Sequence, residues 1–178
     1  MDKKLVFIDV ESDGLYGSFL TVALIVTDSK GNEIERAYYG IKRENMHITE
    51  PWVEENVIPK LGVYEECETE DELLRKTWNL WQKYREVAYV VCDVGYPVEA
   101  RLWEKCTRLD LEENTFKAPF PLVDISSMLL AKGIDPLIDR AKLLGINGDM
   151  THNAMYDVET TVRLWQFVME ECNGTEKK

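Results

Sequence analysis

The sequence predicts an α/β fold, a mixed sheet of a three-strand antiparallel meander plus parallel strands, with helices on both faces. Three observations carry this. Apolar, β-branched stretches at 4–10, 19–28 and 33–42 read as consecutive strands, the second and third joined by a turn at Ser29-Lys-Gly-Asn32. Further on, strand-like runs at 87–92 and around Leu122-Val123 alternate with amphipathic helical segments, the order that places helices against a sheet containing parallel strands. At 178 residues the chain can bury roughly two-thirds of its unfolded surface in one core, so folding requires no disulfide or metal staple.

Each element has its local cause. Pro51 opens a short helical segment, Trp52-Val-Glu-Glu-Asn-Val-Ile58, because proline suits a first helical turn. Thr69-Glu-Asp-Glu72 has the form of a capping box before a helix through Tyr84, whose Leu73, Leu74, Trp78 and Trp81 share one face. Val87-Ala-Tyr-Val-Val-Cys92 is a continuous apolar strand, and Pro97 marks the start of the next helix. After the short strand at 122–123, helices are expected near 124–132 and 136–144, with a last helix from about Asn153 to Glu171. With no internal repeat and no Gly/Ser/Pro-rich linker, the division expected is one domain at 1–172 and a polar tail at 173–178. In open sheets of this kind ligands bind beyond strand ends, which directs attention to Asp9 and Asp93.

Composition narrows the function classes. No apolar run reaches the roughly 18 residues of a membrane span, and Met1-Asp-Lys-Lys leads directly into a strand without secretory features, so the cytoplasm is the expected compartment and no membrane partner is expected. Cys67, Cys92, Cys106 and Cys172 are irregularly spaced, which supports neither a zinc site nor a disulfide framework. A net charge of −12 argues against a broad grip on duplex nucleic acid but permits a short or end-bound anionic ligand, since bound cations reverse the field inside an acidic pocket.

Asp9 and Glu11, two residues apart on a strand, aim the same way. Like charges so held are tolerated when one is protonated or a cation lies between them. A second constellation lies far along the chain, where His152 precedes the last helix and Asp157 falls in its first turns.

Together these residues resemble the DEDDh exonucleases, which have a ribonuclease H-like fold. The first motif of that family, an apolar strand ending Asp-x-Glu-(Thr/Ser)-x-Gly-Leu, is matched by Asp9-Val-Glu11-Ser-Asp-Gly14-Leu15. Its third, His-x-Ala-x-x-Asp, is matched by His152-Asn-Ala-Met-Tyr-Asp157, and the likeness spans nearly the whole chain. Trp52 to Leu61 further looks like a subgroup typed on a mycobacterial 3′-to-5′ exoribonuclease. The second motif departs, because aligning Tyr96 with the family's aromatic leaves Pro97 where an aspartate is usual. Asp93 at the strand end and Glu99 in the following helical turn are the two candidate replacements, and Asp93, on the more rigid platform, is favoured.

The resemblance implies two divalent ions, Mg²⁺ or Mn²⁺, about 3.5 to 4 Å apart between Asp9, Glu11, Asp157 and Asp93. It implies His152 as general base, release of nucleoside 5′-monophosphates, and substrate contacts from Leu15 beyond the Gly14 turn and from Tyr96. Lys132, Arg140 and Lys142 are further candidates for the substrate backbone. The implied partner is a short single-stranded nucleic acid, RNA over DNA by the subgroup likeness, with a small nucleotide or dinucleotide as another substrate class. The outer edge of the meander offers a surface for a homodimer. A silent nucleic-acid-binding or scaffold domain of the same fold is the competing reading, because of the gap at Pro97. The acidic run 65–72 reads as a solvated loop and helix start, and all five tryptophans as core.

Overall fold

The computed structural model of the protein describes residues 3–174. Strands β1 (Lys4–Ser12), β2 (Phe19–Thr27) and β3 (Glu33–Ile41) form the meander. A short helix α1 (Pro51–Asn56) leads to β4 (Glu65–Cys67), α2 (Glu70–Tyr84), β5 (Ala88–Cys92), α3 (Val98–Arg108) and α4 (Leu111–Asn114). The chain continues through β6 (Leu122–Asp124), α5 (Ile125–Ala131) and α6 (Arg140–Leu144) to α7 (Ala154–Gly174). The sheet order is β4-β3-β2-β1-β5-β6, with β1–β2 and β2–β3 antiparallel and β1–β5, β5–β6 and β3–β4 parallel.

Alternation along β1 sorts the two cores. Val6, Ile8 and Val10 join Trp78, Trp81 and Leu102 on the face covered by α2 and α3. Leu5 and Phe7 join Ile125, Leu129, Val158 and Leu164 on the face covered by α5 and α7. Asp9 and Glu11 continue the second series, so the period of two carries both carboxylates toward the start of α7. β2 is buried along its whole length because it lies inside the sheet with helices on both faces.

Several boundaries differ from the sequence reading, each for a local reason. Thr69 caps α2 by accepting from the Glu72 N–H at 3.2 Å, but Glu72 reaches back to the Glu68 N–H, one residue short of a full capping box. The helix expected at 136–144 begins only at Arg140, because Asp139 caps there, accepting from the Lys142 N–H at 3.0 Å, while Asp135 holds a turn over 135–138. Part of the acidic run is a strand rather than a solvated loop: Glu65–Cys67 pairs with Tyr39–Ile41. That pairing covers the C-terminal third of the β3 edge, so a homodimer through the meander edge is left the stretch from Glu33 to Tyr38 of β3. Helix α7 continues through Gly174, and residues 175–178 of the expected tail lie outside the described residues. Cys67, Cys92 and Cys106 are buried free thiols; the Cys172 side chain lies outside the described residues. No helix among the described residues is long and apolar enough to cross a membrane.

Candidate active site

Beyond the carboxyl ends of β1 and β5 lies a crevice of about 520 Å³, lined among others by Asp9, Glu11, Asp93, Tyr96, Glu99, Arg140, His152 and Asp157. Residues 148 positions apart in sequence meet here. Carboxylate oxygens of Asp9, Glu11 and Asp157 lie within 4.8 Å of one another. Asp157 reaches them because Asn153 caps α7, its side chain accepting from the Tyr156 N–H at 3.0 Å, which fixes where the first turn starts. The His152 backbone N–H then donates to Asp157 at 2.8 Å from a left-handed conformation, φ 74°, unusual for a residue with a side chain.

The electrostatics follow from packing acids together away from water. Burial is the main cause raising Asp9 well above the carboxylate range, with Asp157, Glu11 and Glu99 adding repulsion. Burial, Asp157 and Glu99 push Glu11 up to about 8, opposed by the charge of Lys60. Asp157 is raised to about 7, again chiefly by burial, despite the His152 N–H that favours its charge. Burial and the Lys60 charge both lower His152, which therefore stays a neutral imidazole able to accept a proton. Three largely enclosed carboxylates with oxygens within 4.8 Å of one another, each resisting ionisation, fit a hard divalent cation.

The two acids left open by sequence fall in different surroundings. Asp93 lines the crevice, but both its oxygens accept from Arg140, at 2.9 to 3.1 Å, and Ser126 approaches Oδ1 at 3.3 Å. Arg140 in turn donates to Ser126 and to the Ile138 carbonyl, so it braces Asp93 instead of standing free for a substrate backbone. Glu99 is 8% exposed and carries a carboxyl raised to about 8 mainly by burial, with the charges of Asp93 and Asp124 adding to the rise and the backbone N–H groups of Glu99 itself and Val10 opposing it. Neither lies within the three-carboxylate group itself.

Leu15 and Tyr96, 59% and 71% exposed, line the crevice mouth, where the Tyr96 hydroxyl lies 3.4 Å from that of Tyr16. Gly14 makes the preceding turn at φ 70°, with Glu50 packed so close that an added Cβ would meet its Cγ at 3.1 Å. Lys142 is exposed. Trp78, Trp81 and Trp103 are buried and Trp165 packs on the core, as expected, whereas Trp52 is 54% exposed and stands edge-on to the His152 ring, centroids 4.9 Å apart. Lys60, Asn153 and the Trp52–His152 contact were not anticipated from the sequence, although all three residues lie within the segments 52–61 and 152–157 that carry the family likeness.

No family model and no curated protein matches the sequence. Solved structures do. An E. coli exonuclease I complex with single-stranded DNA, in a zinc-bound form, superposes with a TM-score of 0.69 at 16% identity, over 96% of this chain and 41% of that one. Exonuclease I from Methylocaldum szegediense gives a TM-score of 0.72 at 18% identity, over 94% and 40% respectively. The E. coli enzyme with a dT13 oligonucleotide gives 0.68 at 17% identity, over 93% and 41%. The fold is ribonuclease H-like. This chain spans about two-fifths of the length of those exonucleases. Its ribonuclease H-like sheet carries the acidic crevice beyond the carboxyl end of its central strand.

Proposed function

We propose that the chain is a metal-dependent 3′-to-5′ exonuclease that hydrolyses phosphodiester bonds at short single-stranded 3′ ends and releases nucleoside 5′-monophosphates. One observation carries the reading: carboxylates of Asp9, Glu11 and Asp157 converge within 4.8 Å, and His152 lines the same crevice. The structural neighbours that include exonuclease I bound to single-stranded DNA support the same direction. The RNA preference rests on the Trp52–Leu61 likeness alone, so both polymers belong in the test.

In this mechanism His152 takes a proton from the water that attacks phosphorus, and the bond from phosphorus to the 3′ oxygen of the penultimate nucleotide breaks. That oxygen collects a proton from solvent, leaving a shortened strand with a free 3′ hydroxyl. Asp9, Glu11 and Asp157 would hold the divalent ions, Mg²⁺ or Mn²⁺, and we assign the fourth acid to Glu99 instead of Asp93, whose oxygens Arg140 occupies. Such ions, when bound, polarise the phosphoryl oxygens and lower the pKa of water. Leu15 and Tyr96 border the entrance where a terminal base would pass. Glu99, whose charge acts on Asp9 and Glu11, would fill the gap left at Pro97, and this supports the enzyme over a silent scaffold.

The test is incubation with Mg²⁺, Mn²⁺ or Zn²⁺ and 3′-labelled single-stranded RNA, single-stranded DNA or a blunt duplex, with Asp157→Ala as control. Metal-dependent release of labelled mononucleotide from a single strand is expected. Its absence with every metal and polymer sinks the proposal.

A further inference from the structure

The segment from Thr49 to Leu61 crosses between the two halves of the acidic site and is tied down at both ends. At its start, the Asp13 carboxylate, just past Glu11, accepts from the Thr49 N–H, the Thr49 hydroxyl and the Glu50 N–H at 2.6 to 3.0 Å. At its far end, Lys60 Nζ donates to the Thr151 carbonyl at 2.9 Å, and the Asn153 side chain donates to the Lys60 carbonyl at 2.6 Å. These bonds grip the residues on either side of His152. Between the ends, Trp52 presents its ring to the imidazole at 4.9 Å with an interplanar angle of 87°. Val53, Val57 and Leu61 anchor the segment in a small core of their own with Leu20.

A histidine backbone in the left-handed region has no helix or strand to hold it, so its ring direction depends on what packs against it. Within the exonuclease reading on which this inference rests, we propose that Trp52 and Lys60 are positioning residues for His152, forming with Asn153 a strap that fixes the imidazole over the carboxylates. Lys60 holds the peptide before the histidine and Trp52 holds the ring. Neither touches the three carboxylates. Trp52 is 54% exposed, unlike Val53 and Val57 of the same segment, and its ring meets the imidazole in a T-shaped contact instead of joining their core.

The experiment compares Trp52→Ala, Trp52→Phe, Lys60→Met and Lys60→Arg in the full chain, by steady-state hydrolysis, Mn²⁺ calorimetry and NMR of the imidazole protons. Only His47 and His152 contribute to those spectra. A misdirected base lowers turnover, so Trp52→Ala and Lys60→Met are expected to lose about 10- to 100-fold in kcat. In Trp52→Ala, KM and Mn²⁺ affinity stay within about 3-fold, because substrate and metal contacts are intact and no charge is removed. Lys60→Met also removes a charge that acts on Glu11 and Asp157, so its Mn²⁺ affinity is read against Lys60→Arg. Trp52→Phe and Lys60→Arg, which keep the ring contact and the donor, recover most of the rate, and the His152 resonances shift and broaden in Trp52→Ala. Unchanged kcat in both truncations, a loss confined to KM, or no recovery by the conservative variants overturns the proposal. If the wild-type protein releases no nucleotide, the exonuclease reading fails and the spectra decide the positioning separately: unchanged His152 resonances in Trp52→Ala overturn it.

Discussion

Asp93 and Glu99 approach one crevice with opposite chemistry. Asp93 is charge-balanced, its oxygens shared between Arg140 and Ser126, whereas Glu99 is buried near other acids with only backbone N–H groups opposing the rise of its carboxyl. A cation entering the cluster gains more from the second. Glu99→Gln, which keeps shape and removes charge, should therefore lower metal-dependent turnover by about 100-fold or more, on the scale of removing one electrostatic element of a transition state. Asp93→Asn should leave turnover within about 10-fold but destabilise the fold by about 1 to 3 kcal/mol, because Arg140 loses its counter-charge in a partly buried setting. Kinetics and denaturant unfolding on the same two variants check both, and the reverse ranking in turnover would restore Asp93 as the fourth acid. At this scale the meeting of Asp9, Glu11 and Asp157 was legible from spacing and motif order. The pairing of Asp93 with Arg140, 47 residues away, on which the proposed choice of Glu99 rests, was not, because no local pattern encodes that approach.

The elements that place these residues are strong where sequence made them legible and hidden where tertiary pairing made them. β1, β2 and α2 announce themselves by composition and period, with Thr69 capping α2 as expected. β4 does not, since Glu65-Glu-Cys67 has no strand-like alternation of its own and becomes a strand only because β3 offers an open edge. The strap at 49–61 is likewise set by side chains from elsewhere, whereas the late start of α6 is set locally by the Asp139 cap. An asymmetry follows for stability against function. Thr69→Ala removes a cap far from the crevice and should cost about 1 kcal/mol while hydrolysis is unaffected. Leu164→Ala, fully buried where α7 meets the sheet, should cost about 2 to 5 kcal/mol and reduce activity at raised temperature before the Thr69 variant does, since α7 carries Asp157. Thermal unfolding alongside activity against temperature tests the pair, and equal losses in both variants would contradict the division.

For the molecule as a whole, the fold concentrates like charge at one end of the sheet in a chain already at −12, so stability, protonation and metal binding are linked. Glu11 and Asp157 rise from ordinary carboxylate values of 4.5 and 3.8 to about 8 and about 7 in the folded, metal-free state. Groups raised on folding favour the native state most at pH below their unfolded values, and that contribution is lost as pH climbs through the folded ones. The metal-free protein should therefore lose stability between about pH 5 and about pH 8, by up to about 1.4 kcal/mol per pH unit for each group titrating. Carboxylates such as Asp13 do not cancel this. Burial would raise Asp13, but hydrogen bonds from Thr49 and Glu50 lower it, so its contribution is lost only as pH falls below that range. A divalent ion must displace the protons, so stabilisation by Mn²⁺ grows with pH, toward about 2.7 kcal/mol when the ion is 100-fold above its dissociation constant. Melting curves with and without Mn²⁺ should diverge steadily from about pH 5 to about pH 8 in the wild type and converge in Glu11→Gln, which removes one ligand charge and one titrating group. A metal-induced shift in Tm that is the same at both ends of the range would mean that the buried acids are not where the ion binds.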